Sequence, residues 1–430
     1  MGQSKGCLLC LNKQRKLCII IRGRRIRMQR IIFHIDVNSA FLSWTAVELL
    51  NQGAELDIRE IPSIIGGDKE SRHGVVLAKS TPAKKFGIQT GEPVAYALRK
   101  CPNLHMESPN HRMYRECSDR LMEYLRTYTP DIEQVSVDEC FMDFTGIAHR
   151  YASPVEAATE IKDQVYERFG FTVNVGISSN KLLAKMASDF EKPNKVHTLF
   201  PEEIETKMWP LSVGDLYMAG KSSVETLKKL EIFTIGDLAK TDPDLVELHL
   251  KKHGRMLWRF ANGIDDSVVE TEEAAAKGVG NSTTLSKDVT TKDEAQKVLL
   301  YLAESVGRRL RKAKQKAYMV SVEIKYHTFQ SNSHQKQLQT AVDGDTPIYH
   351  TACELFEELW SGQPIRLLGI RTSKLVDEAE PVQLSIFDIP QYSEEDRIKE
   401  EKRRKVSQTM DAIRKKYGKD AVVRGTMLNP

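Results

Sequence analysis

The sequence predicts an α+β fold divided between two or more domains. Short apolar runs typical of strands alternate with longer segments in which apolar residues recur every three or four positions, as they do in helices. A polar, alanine-rich stretch at 271–280 ends in two glycines and separates one set of these elements from another. The chain has 430 residues, which is enough for two to four domains with a sizeable core.

The elements of the first set follow one another closely. They are a buried strand at 31–36, a helix over 41–50, a strand at 74–80, a loop-rich stretch at 82–93, a helix over 113–128 that Pro130 ends, a strand at 136–144, a helix from the Ser153–Glu156 capping box to Gly170, a strand and turn at 171–180, and a helix over 180–195 broken at Lys192-Pro193. Residues 44–103 form a small subdomain of their own.

The rest of the chain gives a helical region and then a second α+β set. In 215–238, a turn at Gly220 between two short helices fits either a helix-hairpin-helix that points its amides at phosphate or a plain helical hairpin. Beyond the linker we expect a helix over 292–315, an alternating strand over 318–327 and a helix over 348–360. The last helix has apolar residues at 406, 410, 413 and 417, and fits a partner-binding helix and a docking helix equally well.

The charge is unevenly distributed. The chain has 63 basic and 59 acidic residues, but residues 1–30 hold nine Lys or Arg and no acid, so the remainder has a net charge of −5. A nucleic-acid surface must therefore be local, and 277–374 is one candidate, with 15 basic against 10 acidic residues and a dense run, RRLRKAKQK, at 308–316. We expect residues 1–27 to be a disordered basic extension, or a product of how the start codon was placed.

The seven cysteines are scattered and do not form a disulfide framework. Cys7-x-x-Cys10 with Cys18 nearby fits either a metal site or chance. The apolar run at 17–21 is too short to span a membrane and has no cleavage site after it. We therefore expect a soluble cytoplasmic protein.

Two adjacent acids, Asp138 and Glu139, lie in the otherwise apolar run SVDECFMDF at 136–144. Neighbouring side chains of a strand point to opposite faces, so both acids serve one site only if the strand turns or bulges there; a strand end with two solvated acids is the alternative. Asp36, at the end of the first strand, is the natural third acid. Three carboxylates need divalent cations for balance, and oxygen ligands suit Mg²⁺. Two such ions can activate a hydroxyl and stabilise a leaving pyrophosphate, with Lys192 available for a triphosphate.

The chain resembles the Y-family DNA polymerases of the bacterial polymerase IV and UmuC type. The matching pieces are HIDVNSAF at 34–41, PAKKFG at 82–87, SVDECFMDF at 136–144, TVNVGISSNKLLAKMASDFEKPN at 172–194 and RFANGIDD at 259–266. The resemblance implies that Asp36, Asp138 and Glu139 are catalytic and bind two Mg²⁺ ions together with the Val37 carbonyl. It also implies that Phe41 is the steric gate that rejects ribonucleotides; the alternative for Phe41 is a core aromatic.

The same resemblance assigns nucleotide contacts and shows where this chain departs from the family. Lys192 would hold the triphosphate, as would Lys84, where the family usually has an Arg with a bidentate fork. Thr81 replaces a Tyr beside the triphosphate. In the thumb, Met218 replaces the first of two usual glycines and leaves only Gly220.

The domains implied are a palm (28–43 and 104–199), fingers (44–103), a helical thumb (200–266), a linker (267–277), a little finger (278–376) and a tail (377–430). DNA contacts are expected from Gly220, Lys221, Arg308, Arg309 and Arg311. QLSIF at 383–387 resembles the motif that docks on the sliding clamp, through Gln383, Leu384, Ile386 and Phe387.

The function expected is low-fidelity, Mg²⁺-dependent DNA synthesis past damaged template bases by a monomer. Its partners would be primer-template DNA, deoxynucleoside triphosphates and the sliding clamp. Two other functions fit some of the residues. A clamp-bound DNA-binding protein without useful catalysis would fit Thr81 and Lys84, and a palm-type nucleotide cyclase would share the acids but has no use for a basic terminal domain.

Overall fold

The computed structural model describes residues 9–11, 17–21, 24–27, 30–67, 74–272, 275–380, 394–418, 421–422 and 425. Its mixture of helices and sheets confirms the α+β prediction. The chain divides into two compact units, and the division falls inside the predicted linker, next to residue 273. No helix of the described residues is long and apolar enough to cross a membrane.

The strands of the described part, in chain order, are β1 (Leu9–Leu11), β2 (Leu17–Ile21), β3 (Arg24–Arg27), β4 (Ile32–Val37), β5 (Ser63–Gly66), β6 (Val76–Lys79), β7 (His105–Glu107), β8 (Ile132–Gln134), β9 (Glu139–Asp143), β10 (Val173–Ser178), β11 (Val196–Thr198), β12 (Gly278–Val289), β13 (Gln315–Tyr326), β14 (Ser331–Val342) and β15 (Ile365–Asp377). The helices of the same residues are α1 (Ala40–Asn51), α2 (Thr81–Lys84), α3 (Val94–Lys100), α4 (His111–Arg126), α5 (Pro154–Phe169), α6 (Lys181–Ser188), α7 (Lys221–Lys229), α8 (Ile235–Lys240), α9 (Pro243–Ala261), α10 (Lys292–Lys312), α11 (Asp345–Leu359) and α12 (Glu394–Tyr417).

The described residues of the N-terminal extension form three short strands. The structure pairs β1 with β2 and β2 with β3, both antiparallel, in a stretch for which we expected disorder. The expectation rested on the excess of basic residues. It gave too little weight to the run LCIII at 17–21, whose isoleucines favour a strand.

A five-stranded sheet with the order β11-β10-β4-β9-β8 is the centre of the first unit. Side chains alternate between its faces along β4. Phe33 and Ile35 pack with α1, α4 and α5 in one core, whereas Ile32 packs with Ala184 of α6 in another. The strand neighbours Asp36 and His34 therefore share the face on which α6 lies.

Helix α6 lies close to the sheet because β10 has a glycine beneath it. A Cβ built on Gly176 would lie 2.0 Å from the Ala184 carbonyl oxygen and 2.4 Å from the Ser188 amide nitrogen. The Asn180 side chain caps the helix by accepting a hydrogen bond from the Leu183 amide at 2.8 Å. The helix ends at Ser188, earlier than the predicted break, so that Lys192 lies in the loop that follows it.

Two smaller groups of elements complete the first unit. Strands β6-β5-β7 form a sheet with α2 and α3 in the segment predicted as fingers. Helices α7 to α9 share a core with α6 in the segment predicted as thumb. The turn at Gly220 lies between a 3₁₀ turn (Val213–Asp215) and α7, and not between two α-helices as the sequence suggested.

The second unit is an antiparallel sheet of order β12-β15-β13-β14 covered on one face by α10 and α11. Val320, Val322 and Ile324 face these helices, so the intervening side chains of β13 face the other way. That other face, which we call the open face, is polar and includes Ser321, Glu323 and Arg371.

Helix α12 packs against its own unit, which favours the docking interpretation. Ion pairs join Arg414 to Glu304 of α10 at 2.9 Å, and Asp411 to Arg311 of α10 at 2.7 Å. Ser407, which is buried, donates a hydrogen bond to Asp345 of α11 at 2.9 Å. Of its apolar residues, Val406 and Tyr417 are exposed, whereas Met410 and Ile413 are half-buried. The contact therefore includes charged side chains and only part of the apolar stripe.

Candidate active site

The three predicted acids lie at one edge of the central sheet. Asp36 on β4 pairs directly with Glu139 on the neighbouring strand β9. Asp138 is the residue before β9, and its carbonyl oxygen accepts a hydrogen bond from the Val37 amide at 3.0 Å. The backbone around Asp36, Val37, Asp138 and Glu139 is therefore brought together.

A bend before β9 lets both neighbouring acids serve this edge. The amides of Val135 and Ser136 both donate to the Glu139 carbonyl oxygen, which folds the chain back before the strand begins. Ser136 donates from its hydroxyl to Asp138 Oδ1 at 2.5 Å and fixes that carboxylate. The turn that the sequence required at this point is present.

Two of the three acids form ion pairs with lysines. Lys192 Nζ forms an ion pair with Asp36 and a second with Asp189 at 2.8 Å. Lys185 of α6 lies 2.8 Å from Glu139 Oε2. The described residues contain no group of three or more acidic, histidine or cysteine side chains that converge closely enough to hold a metal ion. The Asp36 and Glu139 carboxylates each lie against a lysine, as attraction between opposite charges favours.

The pKa values at the site reflect these pairs. Burial lowers the pKa of Lys192, but the Asp36 and Asp189 carboxylates outweigh it and the net shift is upward. Burial also lowers the pKa of Lys185, but the carboxylates of Glu139, Asp189 and Asp36 raise it by more, so the net shift is upward. His34 and Lys185 lower the pKa of Glu139 to about 2 against the effect of its burial. Of these two partners Lys185 is the firmer, because His34 Nε2 lies 3.3 Å from Oε2 and has no aligned hydrogen bond.

The loop that carries Lys192 is anchored by a buried pair of asparagines. Asn174 donates from its amide nitrogen to the carbonyl oxygens of Ser188 at 3.0 Å and Glu191 at 2.7 Å. Asn38 donates to Asn174 Oδ1 at 3.1 Å and accepts from the Asn194 amide at 2.9 Å. The position of Lys192 is thus fixed from β10 and from the end of β4.

Phe41 is half-buried at the start of α1. Its ring stacks on Tyr114 with centroids 4.5 Å apart, and His111 meets it edge-on at 6.1 Å. The Tyr114 hydroxyl and Thr45 Oγ1 are 3.0 Å apart, and Thr45 donates to the Phe41 carbonyl oxygen at 2.7 Å. The ring thus packs on the buried Tyr114 and remains partly accessible. This fits both a steric gate and a core aromatic.

Thr81 and Lys84 are exposed on α2. Among the described residues, no hydrogen bond or ion pair joins either of them to the three acids. Lys79, on the adjacent β6, donates to the Ile88 carbonyl oxygen at 2.5 Å, and its pKa is lowered by burial and by Lys84.

The residues predicted to contact DNA differ in their accessibility. Gly220 and Lys221 are exposed at the N-terminus of α7, and Arg309 is exposed on α10. Arg311 is only 7% exposed and is held by Asp345 and Asp411, so its prediction as a DNA contact does not fit the structure. The RRLRKAKQK run suggested a basic surface, but a helix turns every third or fourth residue inward. The predicted clamp contacts Gln383, Leu384, Ile386 and Phe387 lie outside the described residues.

Two residues of the site were missed by the sequence interpretation. Lys185 lies four residues after Lys181 in NKLLAKMASD, and a helical projection could have placed it on the face next to Glu139. His34 lies two residues before Asp36, so strand alternation puts it on the same face. Both signals were present in motifs that we had used for other residues.

Comparison with known proteins identifies the family. The impB/mucB/samB family model matches residues 35–189, and the model of the C-terminal domain of that family matches residues 276–386. A DNA polymerase IV of Clostridium acetobutylicum is 48% identical over 402 residues, which are 93% of this chain and 99% of that protein. A DNA polymerase IV of Alkaliphilus oremlandii is 34% identical over 403 residues, which are 93% of this chain and all of that protein.

The same class emerges from the fold. A solved structure of a Y-family DNA polymerase chimera, Dbh-Dpo4(243-245)-Dbh, superposes with a TM-score of 0.70 over 81% of this chain and 99% of that one, at 20% identity. The chain belongs to the impB/mucB/samB family, the Y-family DNA polymerases. Its activity is that of a DNA-directed DNA polymerase, and the resemblance noted in the sequence is confirmed.

Proposed function

We propose that this polymerase extends primers past damaged template bases by two-metal nucleotidyl transfer with Mg²⁺. The observation that carries the proposal is the pairing of Asp36 with Glu139 across adjacent strands, with Asp138 fixed in the bend beside them. Three carboxylates and the Val37 carbonyl are hard oxygen donors of the kind that Mg²⁺ prefers. Bound there, the ions would activate the primer hydroxyl and stabilise the leaving pyrophosphate.

Each residue of the site has a role in this proposal. Asp36, Asp138 and Glu139 hold the ions, and Lys192 is released from Asp36 to hold the triphosphate. Thr81 and Lys84 bind the nucleotide from α2, where Lys84 supplies charge without the geometry of an Arg fork. Phe41 acts as the steric gate, and its stacking on Tyr114 supports the ring in one place. Lys84 in place of the usual Arg and the small fingers segment leave a loosely defined nucleotide pocket. We therefore expect low fidelity.

The duplex contacts are proposed for exposed groups and for Arg308, which is half-buried. Gly220 and Lys221 offer backbone amides and a charge at the start of α7, where a phosphate is favoured. In the second unit, Arg308 and Arg309 remain candidates, and the open face with Arg371 is a further one. Clamp recruitment through QLSIF remains a proposal that rests on the sequence alone. We propose that the protein acts as a monomer.

Primer extension by the purified protein with Mg²⁺ and deoxynucleotides tests the proposal. We expect the wild type to extend an undamaged and a damaged template, Asp138→Ala to lose extension on both, and Phe41→Ala to accept ribonucleotides. Extension by Asp138→Ala at the wild-type rate would rule out the metal assignment. Lack of extension by the wild type on any template would instead favour a DNA-binding role without useful catalysis, with Thr81 and Lys84 as the first residues to restore.

A further inference from the structure

His34 is a buried polar residue beside the acids for which the proposed mechanism has no role. Its side chain is fully buried on β4, with its ring 4.7 Å from that of Phe141 on the partner strand. Nδ1 lies 2.8 Å from the Ser188 hydroxyl oxygen at the end of α6. Nε2 points at Glu139, 3.3 Å from Oε2, and has no aligned hydrogen-bond partner.

A buried ring nitrogen without a hydrogen bond is costly, and only a nearby acceptor relieves that cost. Glu139 Oε2 is at this distance, so a small rotation of the carboxylate completes the bond from Nε2–H. The Ser188 hydroxyl has one proton and lies 2.8 Å from two acceptors, His34 Nδ1 and the Lys185 carbonyl oxygen. Donation from Nε2 requires that the hydroxyl donates to Nδ1, which leaves the proton of the neutral ring on Nε2. The alternative tautomer would put a bare lone pair against a carboxylate.

Helix α6 reaches the same oxygen directly through Lys185, at 2.8 Å. The two donors, Lys185 Nζ and His34 Nε2, therefore approach Oε2 and leave Oε1 of Glu139 for another ligand. The close approach of α6 over Gly176, which is paired with His34 on the sheet, brings Lys185 and Ser188 to this position.

We propose that His34 is a positioning residue that holds Oε2 of Glu139, with Lys185, so that Oε1 is presented to a divalent cation. This inference rests on the proposed role of Glu139 as a metal ligand. Groups that orient the ligands of a metal affect its affinity nearly as much as the ligands do, and their loss costs about 10–100-fold in affinity or activity.

The test compares two substitutions of similar size. His34→Leu removes the donor, and His34→Gln retains an amide nitrogen near the position of Nε2. We expect His34→Leu to weaken Mn²⁺ binding by about tenfold or more, measured from the free Mn²⁺ signal in electron paramagnetic resonance with primer-template and a non-hydrolysable nucleotide present. We expect a matching rise in the Mg²⁺ concentration for half-maximal extension, while His34→Gln recovers most of both.

A matched control separates positioning from general stability. Ser178→Ala, on the neighbouring β10, removes a buried hydroxyl that donates to the Leu199 carbonyl oxygen and has no contact with Glu139. We expect it to lower the melting temperature without changing Mn²⁺ affinity. If His34→Leu does not fold, Ser188→Ala takes its place, because it frees Nδ1 and should weaken Mn²⁺ binding in the same direction.

Two results would overturn parts of the proposal separately. A folded His34→Leu, or Ser188→Ala in its place, with Mn²⁺ affinity equal to that of the wild type would reject the role of His34, provided that Glu139→Gln weakens binding. Unchanged Mn²⁺ affinity in Glu139→Gln would reject the metal role of Glu139 itself, and with it this part of the proposed function.

Discussion

Asn174 is a single residue that connects the central sheet to the loop of Lys192, for which we propose a role in nucleotide binding. Its amide holds the carbonyl oxygens of Ser188 and Glu191 on either side of the turn that leads to Lys192. Asn174→Ala leaves these buried groups without their donor, at a cost of about 1–3 kcal/mol in the free energy of unfolding. We also expect the KM for nucleotide to rise about tenfold or more, because a hydrogen bond from a charged group such as Lys192 contributes about 1.5–3 kcal/mol.

Denaturant unfolding and steady-state extension measure the two effects. Asn262→Ala is the control, since this side chain bonds the carbonyl oxygens of Ala239 and Trp258 in the thumb segment. It should lower stability and leave the KM for nucleotide unchanged. An equal rise in KM for both variants would show that the effect is one of stability and not of the position of Lys192.

The backbone conformation at Met218 gives a physical reason why the family usually has a glycine at this position. The residue has a φ of 68°, in the left-handed region, and its side chain is 54% exposed. A side chain with a Cβ pays about 1–2 kcal/mol there, whereas glycine pays a smaller entropic cost of about 0.5–1 kcal/mol. We expect Met218→Gly to raise the free energy of unfolding by up to about 1 kcal/mol, measured by denaturant unfolding. Met218→Ala keeps the strain and should give no gain, so an equal gain in both variants would contradict this account.

At the scale of elements, the sequence predicted those whose signals are local. The Ser153–Glu156 capping box places the start of α5 correctly, because Ser153 Oγ accepts from the Glu156 amide at 3.1 Å and Gly170 closes the helix with a φ of 74°. The alternation predicted for 318–327 likewise follows from its residues alone, since Val320, Val322 and Ile324 of β13 face the helices. The end of α6 at Ser188 was missed because it is set by tertiary bonds from Asn174, which no local pattern records.

The sequence predicted the acids of the candidate site but not the side chains that contact them. Asp36, Asp138 and Glu139 were singled out because carboxylates among apolar residues demand cations, and the structure brings their backbone together. Their role as metal ligands stays a prediction. Lys185 and His34 were missed because helix α6 has to be placed over Gly176 before either can be seen near Glu139. The burial of Arg311, which we had predicted to contact DNA, was missed for a related reason, since burial of one basic residue in a dense run depends on which face of α10 packs.

The contact between α12 and the rest of the second unit includes an arginine with a buried side chain, Arg311. Arg311 joins Asp345 at 2.8 Å and Asp411 at 2.7 Å with little exposure to solvent. Arg311→Met removes the cation from two acids that remain, and breaking a buried pair in this way costs about 3–5 kcal/mol. We expect that loss in the free energy of unfolding, measured by denaturant unfolding followed in the second unit.

An exposed ion pair provides the control for α12. Lys336 joins Glu354 at 2.7 Å on the surface of the same unit. Lys336→Met should leave the free energy of unfolding unchanged, because solvent screens such a pair. A stable Arg311→Met variant would show that α12 is held by its other contacts and that Arg311 is free for a different task.

At the scale of the whole molecule, DNA affinity has to come from the placement of charge. The net charge is +4 only because of the first 30 residues, and the remainder is acidic. Within the second unit, Arg309 lies on α10 and Arg371 on the open face, and these two surfaces are on opposite sides of the sheet. They are therefore two candidate surfaces for a duplex on this unit.

Alanine substitution decides between the two surfaces. We expect Arg371→Ala to weaken binding of primer-template DNA and to reduce the slope of log affinity against log salt concentration by about 0.9, the value for one lost phosphate contact. Arg309→Ala should leave the slope unchanged if the duplex lies on the open face, because Arg309 then contacts no phosphate and its guanidinium stays on the Gly280 carbonyl oxygen at 2.6 Å. Fluorescence anisotropy at several salt concentrations measures both. The reverse result would place the duplex on α10, as the basic run at 308–316 first suggested.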